Sequence, residues 1–173
     1  MKNDWEKAIA FVLKMEGGEQ AENNPADPGG LTKFGISQKA YPNLDIANLT
    51  KEGAMEIYKR DYWDICKCDE LPTPYAIALF DSAVNQGVGK ASRILQSVLG
   101  VTPDGQIGPK TIAACLAVWA TEPRKLRVYL ASRLAAYADL MAAKPTLLVW
   151  ATNWSFRVIA LAELILKEPP AAA

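Results

Sequence analysis

Apolar residues recur at helical spacing along most of the chain. The first such segment covers residues 4–15, and its apolar face is formed by Trp5, Ile9, Val12 and Leu13. This spacing predicts an amphipathic helix, which Gly17 and Gly18 end. Glu16 is therefore expected in the last helical turn, directly before a loop over residues 22–30 that is rich in Asn, Pro, Asp and Gly.

Six further helices are predicted from the same kind of spacing. They cover residues 50–63, 73–86, 90–99, 109–120, 123–143 and 145–166, and the last three each open on a proline, which suits the first turn of a helix. Leu31–Ile36 is too short and too glycine-flanked for more than a brief hairpin. We predict an all-α, mainly helical fold with at most a small hairpin, arranged as two closely packed helical lobes with a cleft.

A Gly-Val-Gly turn at residues 87–89 marks a weak boundary between two of the predicted helices. We therefore expect one lobe over residues 1–88 and a second over residues 89–168. Residues 169–173, Pro-Pro-Ala-Ala-Ala, are expected to form a flexible tail.

Composition narrows the chemistry. The chain of 173 residues contains no histidine, and histidine is the usual base near neutral pH and the commonest metal ligand. A Ser-His-Asp or Cys-His hydrolase and an ordinary zinc amidase or endopeptidase are therefore excluded. Carboxylates remain for acid and base catalysis, without a metal or an organic cofactor.

Charge and cysteine content bear on partners and on compartment. The chain has 19 basic and 19 acidic residues, so it lacks the basic field that would attract nucleic acid. Free thiols indicate synthesis in a reducing compartment, and the chain has three cysteines that cannot all pair, Cys66, Cys68 and Cys115. Met1–Met15 carries charges at intervals and lacks the apolar stretch of a secretory signal.

The longest apolar segment, Leu147–Leu166, is about one membrane thickness long. Asn153, Arg157 and Glu163 interrupt it, and ionisable side chains are costly in lipid. We therefore predict a buried helix of a soluble core rather than stable membrane insertion.

Glu16 is the first candidate for catalysis. Hydrolysis of a glycosidic bond needs a protonated acid at the leaving oxygen, together with a second carboxylate or an oriented water. A carboxyl group on a rigid helix end beside a loop suits the first role, because loops of this kind bind ligands or shape cavities. The alternative is that Glu16 is one of many surface carboxylates.

Several motifs in order resemble the N-acetylmuramidases of glycoside hydrolase family 108, which include phage endolysins. The first are Glu16-Gly17-Gly18 and Asp27-Pro28-Gly29-Gly30-x-Thr32-x-x-Gly35-Ile36. The similarity continues through Ile57-Tyr58, Tyr62-Trp63, Asp69-Glu70-Leu71-Pro72 and the segment from Phe80 to Gly87. In the second half, residues 103–111 and Trp154-x-x-Arg157 resemble the helical peptidoglycan-binding segment that accompanies this family.

The resemblance implies roles for three residues near the predicted loop. Glu16 is the catalytic carboxylate, with Asp27 and Thr32 lining the cleft opposite it. Asp27 is the natural second carboxylate, although an Asx-type turn or a cap would also explain it. If no acid lies opposite Glu16, a water held by the hydroxyl of Thr32 takes that role. Where family members usually have an aromatic residue and a shorter loop, this chain has Glu19 and extra residues, so Glu19 or Glu22 could compete with Asp27.

Five further residues are candidates for binding the glycan. Tyr62 could stack under a sugar ring, although aromatic residues at helical spacing are often core. The amides of Asn85 and Gln86 suit hydrogen bonds to N-acetyl groups or hydroxyls, with helix capping as the competing explanation. Trp154 and Arg157 lie one turn apart, and they could bind glycan or anchor the last helix against the first lobe.

The resemblance implies a muramidase in which residues 1–88 are the catalytic lobe and residues 89–168 bind peptidoglycan. It would cleave the β-1,4 bond between N-acetylmuramic acid and N-acetylglucosamine, as a monomeric phage endolysin for host lysis. Its partner would be the glycan strands. It would collect in the host cytoplasm before release and act in the periplasm or cell wall. The alternatives are a lytic transglycosylase and a non-catalytic wall-binding or secretion-assisting protein.

Overall fold

The computed structural model describes residues 2–17 and 30–166. Seven α-helices lie within these residues: α1 Lys2–Glu16, α2 Lys51–Tyr58, α3 Thr73–Gln86, α4 Val88–Leu99, α5 Pro109–Thr121, α6 Arg124–Ala143 and α7 Ala151–Ile165. A π-helix, Lys59–Trp63, extends α2, and two 3₁₀ helices cover Cys68–Glu70 and Pro145–Trp150. The predicted mainly helical fold is confirmed. Asp27, Glu19, Glu22 and the predicted tail lie outside the described residues.

The sheet found within the described residues is a two-stranded hairpin, as the sequence predicted. Strands β1 (Thr32–Lys33) and β2 (Ile36–Ser37) are antiparallel, with Thr32 opposite Ser37. Phe34 and Gly35 join them with φ angles of 53° and 77°, and positive φ at both positions is what the tight I′ connection requires. The Tyr58 hydroxyl donates to the Phe34 carbonyl at 2.8 Å, which fixes the turn to α2.

Helix α3 is the centre of the molecule. Its residues from Pro74 to Ala83 are all buried, as expected for a helix that is apolar on every side. Helices α1, α4, α6 and α7 all pack against it. Trp5 of α1 meets Trp63 and Phe80 edge to face, with ring centroids 5.4 and 5.5 Å apart. Both predicted lobes thus share one central helix, and the division at residue 88 stays a prediction.

The prediction that Leu147–Leu166 is a buried helix is wrong for most of its surface. One face of α7 is buried, through Arg157, Val158, Leu161 and Ile165. On the outer side Phe156 is 63% exposed, and the preceding 3₁₀ helix leaves Val149 76% exposed. Helices α6 and α3 are in contact with α7.

Among the described residues, Pro145–Ile165 is the one helical stretch long and apolar enough to cross a membrane by length and composition. Most of that stretch is not covered by the rest of the protein. The absence of membrane insertion therefore stays a prediction.

Candidate active site

Glu16 ends α1 and faces a small cavity. Its side chain is 22% exposed, and the chain turns away at Gly17, whose φ of 91° favours glycine. The carboxyl group lines a cavity of about 80 Å³, here called the Glu16 cleft, together with Gly35, Ile36, Ser37, Ala40, Tyr41, Tyr58, Tyr62 and Val84. The carboxyl group therefore faces a groove formed by the hairpin and the α2 region.

The hairpin turn lies in direct contact with Glu16. A Cβ atom at Gly35 would be 2.8 Å from Glu16 Cβ, 2.9 Å from Glu16 Oε2 and 2.7 Å from the Tyr58 hydroxyl oxygen. These separations are below ordinary van der Waals contact, and the positive φ of Gly35 also disfavours a side chain. Glycine at this position lets the backbone pass beside the carboxylate.

Arg157 binds the other oxygen of Glu16. Its Nη1 donates to Glu16 Oε1 at 2.6 Å, and its Nε donates to Asp81 Oδ1 at 2.8 Å. The arginine thus bridges carboxylates on α1 and α3 from its place on α7. Burial alone would lower the pKa of Arg157, but the charges of Asp81 and Glu16 outweigh burial and raise that pKa above its ordinary value. The guanidinium stays charged.

Arg133 completes a buried network. Its Nη2 donates to Asp81 Oδ2 at 2.7 Å, so each oxygen of Asp81 is bound by a different arginine. The side chains of Arg133, Asp81 and Arg157 are 0%, 1% and 7% exposed. The side chains of Glu16, Arg157, Asp81 and Arg133, here called the arginine–carboxylate network, join two guanidinium groups to two carboxyl groups. Buried charges are tolerated when paired in this way.

Three tyrosine hydroxyls border the Glu16 cleft. Burial raises the pKa of Tyr58, with a further contribution from the negative charge of Glu16. Burial also raises the pKa of Tyr62, and the charges of Asp61 and Glu16 raise it further by smaller amounts. Burial and a 2.7 Å hydrogen bond to Asp61 raise the pKa of Tyr41. These groups are therefore neutral hydrogen-bond donors at neutral pH.

The predicted glycan-binding residues fall into two groups. Tyr62 lines the Glu16 cleft, with its ring centroid 5.8 Å from that of Tyr58. Asn85 accepts a hydrogen bond from the Tyr137 hydroxyl, and Trp154 stacks on the same tyrosine with centroids 4.7 Å apart. Asn85 and Trp154 thus meet at α6 and do not line the Glu16 cleft.

Gln86 belongs with this second group. Its Oε1 accepts from Ser82 Oγ at 2.9 Å and from Arg133 Nε at 3.2 Å. The contacts of Trp154 and Arg157 anchor α7 to the rest of the chain, which was one of the two roles considered for them. Glycan binding by these residues stays a prediction.

The other catalytic candidates are Thr32 and Asp27. The Thr32 hydroxyl donates to the Gly30 carbonyl at 3.2 Å; Thr32 is not among the cleft-lining residues, but its cross-strand partner Ser37 is. Asp27 lies outside the described residues. Within residues 2–17 and 30–166, no group of three or more acidic or cysteine side chains could hold a metal ion.

Sequence reasoning missed Asp81 and Arg133. The signal for Asp81 was available, since it stands in the apolar run Ala76-Ile77-Ala78-Leu79-Phe80-Asp81. Burying a carboxylate within such a run is costly, and a cationic partner is one of the groups that offset this cost. Nothing in the sequence indicates which of the chain's arginines supplies that partner.

The chain is similar to two described protein families and to a solved structure. Residues 9–87 match the family described as Glycosyl hydrolase 108, and residues 90–158 match the family described as Predicted Peptidoglycan domain. Among solved structures, the chain is similar to Brucella abortus SagA, with 28% identity, a TM-score of 0.80 and coverage of 100% of this chain and 99% of that one. No curated protein sequence shows significant similarity. The resemblance inferred from the motifs is thus confirmed: residues 9–87 match a glycosyl hydrolase 108 domain and residues 90–158 match a peptidoglycan domain, and together the two matches support a glycosidase that acts on peptidoglycan.

Proposed function

We propose that the protein is an N-acetylmuramidase in which Glu16 protonates the oxygen of the β-1,4 bond between N-acetylmuramic acid and N-acetylglucosamine. The observation that carries the proposal is the position of this carboxyl group. It lies in a cleft bordered by the hairpin and by neutral tyrosines, with one oxygen bound to Arg157. A general acid needs this combination of access to substrate and fixed orientation.

Water has room beside the acid. A cavity of about 80 Å³ exceeds the space that one water molecule requires. The oxocarbenium ion that develops when the bond breaks is then attacked by water or shielded by a second carboxylate. The Glu16 cleft thus supports hydrolysis as well as proton transfer.

The second catalytic group must face Glu16 across the scissile bond. Asp81 is unsuited to this role, because its side chain is 1% exposed and both of its oxygens are bound by arginines. Asp27 lies in the segment that joins Gly17 to Gly30, and the ends of that segment adjoin Glu16 and the hairpin. We therefore assign the second carboxylate to Asp27, with a water held by Thr32 as the alternative.

The proposed setting is phage-directed lysis of a bacterial host. The three described cysteines are free and buried, which suits accumulation in a reducing host cytoplasm before release to the periplasm or cell wall. The proposed form is a monomer that binds glycan strands. Its equal numbers of acidic and basic residues provide little electrostatic attraction to nucleic acid or to the anionic cell envelope.

Glu16→Gln tests the proposal, because glutamine keeps the shape and can still accept from Arg157 but has no acidic proton to transfer. We expect the rate of muropeptide release from purified peptidoglycan to fall by about 10²-fold or more, with circular dichroism unchanged. Glu6→Gln, at an exposed position on the same helix, is the control and should keep full activity. Wild-type activity in Glu16→Gln would exclude Glu16 as the acid.

The products decide between the related activities. Mass spectrometry should find reducing-end N-acetylmuramic acid after digestion by the wild-type protein. Anhydro-muramic products would instead identify a lytic transglycosylase. Binding to peptidoglycan without any product would identify a wall-binding protein.

A further inference from the structure

The structure assigns Arg157 as the positioning residue of the proposed acid: the last helix holds one oxygen of Glu16 and leaves the other oxygen for the sugar. The inference rests on the proposed function of Glu16. Arg157 lies within residues 90–158, which match the peptidoglycan domain. This domain would therefore contribute to the active site in addition to any binding of the wall.

The two oxygens of Glu16 have different surroundings. Oε1 accepts from Arg157 Nη1 at 2.6 Å, whereas Oε2 lies next to Gly35 in the hairpin turn. A guanidinium group has donors and no acceptor, so the oxygen that it binds cannot carry a proton toward it. The unprotonated carbonyl oxygen of a carboxyl group is the better acceptor, so the Arg157 contact favours the transferable proton on Oε2. The contact therefore selects the oxygen that donates.

Arg157 is itself held in place by buried side chains. Its Nε donates to Asp81 Oδ1 at 2.8 Å, and Arg133 binds the other Asp81 oxygen at 2.7 Å. All three side chains are buried, so this support is shielded from the solvent and salt that weaken surface ion pairs. A functional group supported by buried partners keeps its orientation better than one on a loose side chain.

The same contact favours the direction of proton transfer. When Glu16 gives up its proton, the negative charge that forms lies 2.6 Å from a fixed cation. An interaction that strengthens between ground state and transition state lowers the barrier, whereas uniform binding does not. Loss of Arg157 should therefore reduce kcat more than it changes KM.

The test uses three variants of the full chain: Arg157→Met, Arg157→Lys and Arg133→Met. Met removes the charge while keeping an unbranched side chain, and Lys keeps the charge but cannot bridge two carboxylates with a planar fork. Arg133→Met is the matched control, because it removes the other arginine of Asp81 and does not contact Glu16. kcat and KM are measured on solubilised glycan strands, and kcat is divided by the folded fraction from circular dichroism.

For Arg157→Met we expect kcat to fall by about 100-fold, the size of effect that misplaced catalytic groups produce, with KM changed by less than about threefold. Arg157→Lys should recover at least about tenfold of that loss, because it restores the charge. Arg133→Met should lose comparable stability but less than about tenfold in kcat. If Arg157→Met does not fold, the comparison of Arg157→Lys with the wild type and with Arg133→Met decides the matter.

Two results would overturn the inference. One is a folded Arg157→Met protein with kcat within about threefold of the wild type. The other is an equal loss of kcat in Arg157→Met and Arg133→Met without recovery in Arg157→Lys, which would mean that both arginines only support the fold. In either case Glu16→Gln stays inactive if the proposed function is right, so the two failures are distinguishable.

Discussion

Gly35 lies so close to Glu16 that a methyl group on its Cα would be 2.8 Å from Glu16 Cβ. Gly35→Ala should therefore displace the carboxylate as well as strain the turn, since φ is 77°. We expect the free energy of unfolding to fall by about 2 kcal/mol or more and the rate of peptidoglycan hydrolysis by about tenfold or more. Urea denaturation and muropeptide release measure the two effects.

Gly100→Ala is the control for this variant. Gly100 has a similar φ of 76°, but a Cβ there would meet nothing within 4 Å. It should cost about 1 kcal/mol of backbone strain and leave activity unchanged. Equal activity in the Gly35 and Gly100 variants would show that the hairpin turn does not constrain Glu16.

Asp81→Asn should be strongly destabilising. The variant leaves two buried guanidinium groups without the carboxylate that separates and neutralises them. Breaking a buried ion pair by removing one partner costs about 3–5 kcal/mol. Asp64→Asn, at the exposed pair that Asp64 forms with Lys59 at 2.6 Å, should change the free energy of unfolding by less than about 1 kcal/mol. Similar values for the two variants in urea denaturation would contradict the buried network.

Substitutions on the two faces of α7 should differ in how strongly they affect stability. Phe156→Gln, on the exposed face, should change the free energy of unfolding by no more than about 0.5 kcal/mol and shorten retention on a hydrophobic-interaction column. Leu161→Ala, on the buried face, should cost about 2–5 kcal/mol. Equal destabilisation by both variants would mean that α7 packs differently.

Stability should decline at alkaline pH because of buried thiols. Burial raises the pKa of Cys115 from an ordinary value of 9.0 to about 12, so the unfolded chain loses this proton at lower pH than the native protein. The contribution is therefore complete below about pH 9 and is lost as pH rises toward about 12, by at most about 1.4 kcal/mol per pH unit. Urea denaturation at pH 7.5, 9.5 and 10.5 measures the slope.

Cys115→Ala isolates this contribution from that of the buried tyrosines, whose pKa values are also raised by burial. The variant loses stability at every pH through the cavity it leaves, but its stability should decline less steeply above pH 9 than that of the wild type. An unchanged slope would mean that Cys115 ionises normally in the native protein.

The sequence predicted the local features of the site better than its long-range contacts. Glu16 at a helix end and the small hairpin follow from Gly17, Gly35 and the apolar spacing, all of which act between near neighbours in the chain. The partnership of Glu16 with Arg157 spans 141 residues, and no local rule pairs one carboxylate with one arginine among many. Tertiary packing decides that pairing.

The same distinction explains the partial failure at α7. Its apolar composition correctly predicted a helix, but composition does not say how many sides of the helix meet a neighbour. Phe156 and Leu161 are equally apolar by type, yet one is 63% exposed and the other fully buried. Only the positions of α3 and α6 distinguish them.

The contact between Glu16 and Arg157 also has a consequence for synthesis. During translation α1 leaves the ribosome early and α7 leaves it late, because they stand near opposite ends of the chain. The contact between Glu16 and Arg157 therefore forms only after the long intervening chain has been made. A product that stops between residues 88 and 156 contains all of residues 9–87 and yet lacks the cation that orients its acid. In the proposed enzyme, catalytic competence would then be acquired late in translation, and prematurely terminated chains would be poor at damaging the wall of the cell that makes them.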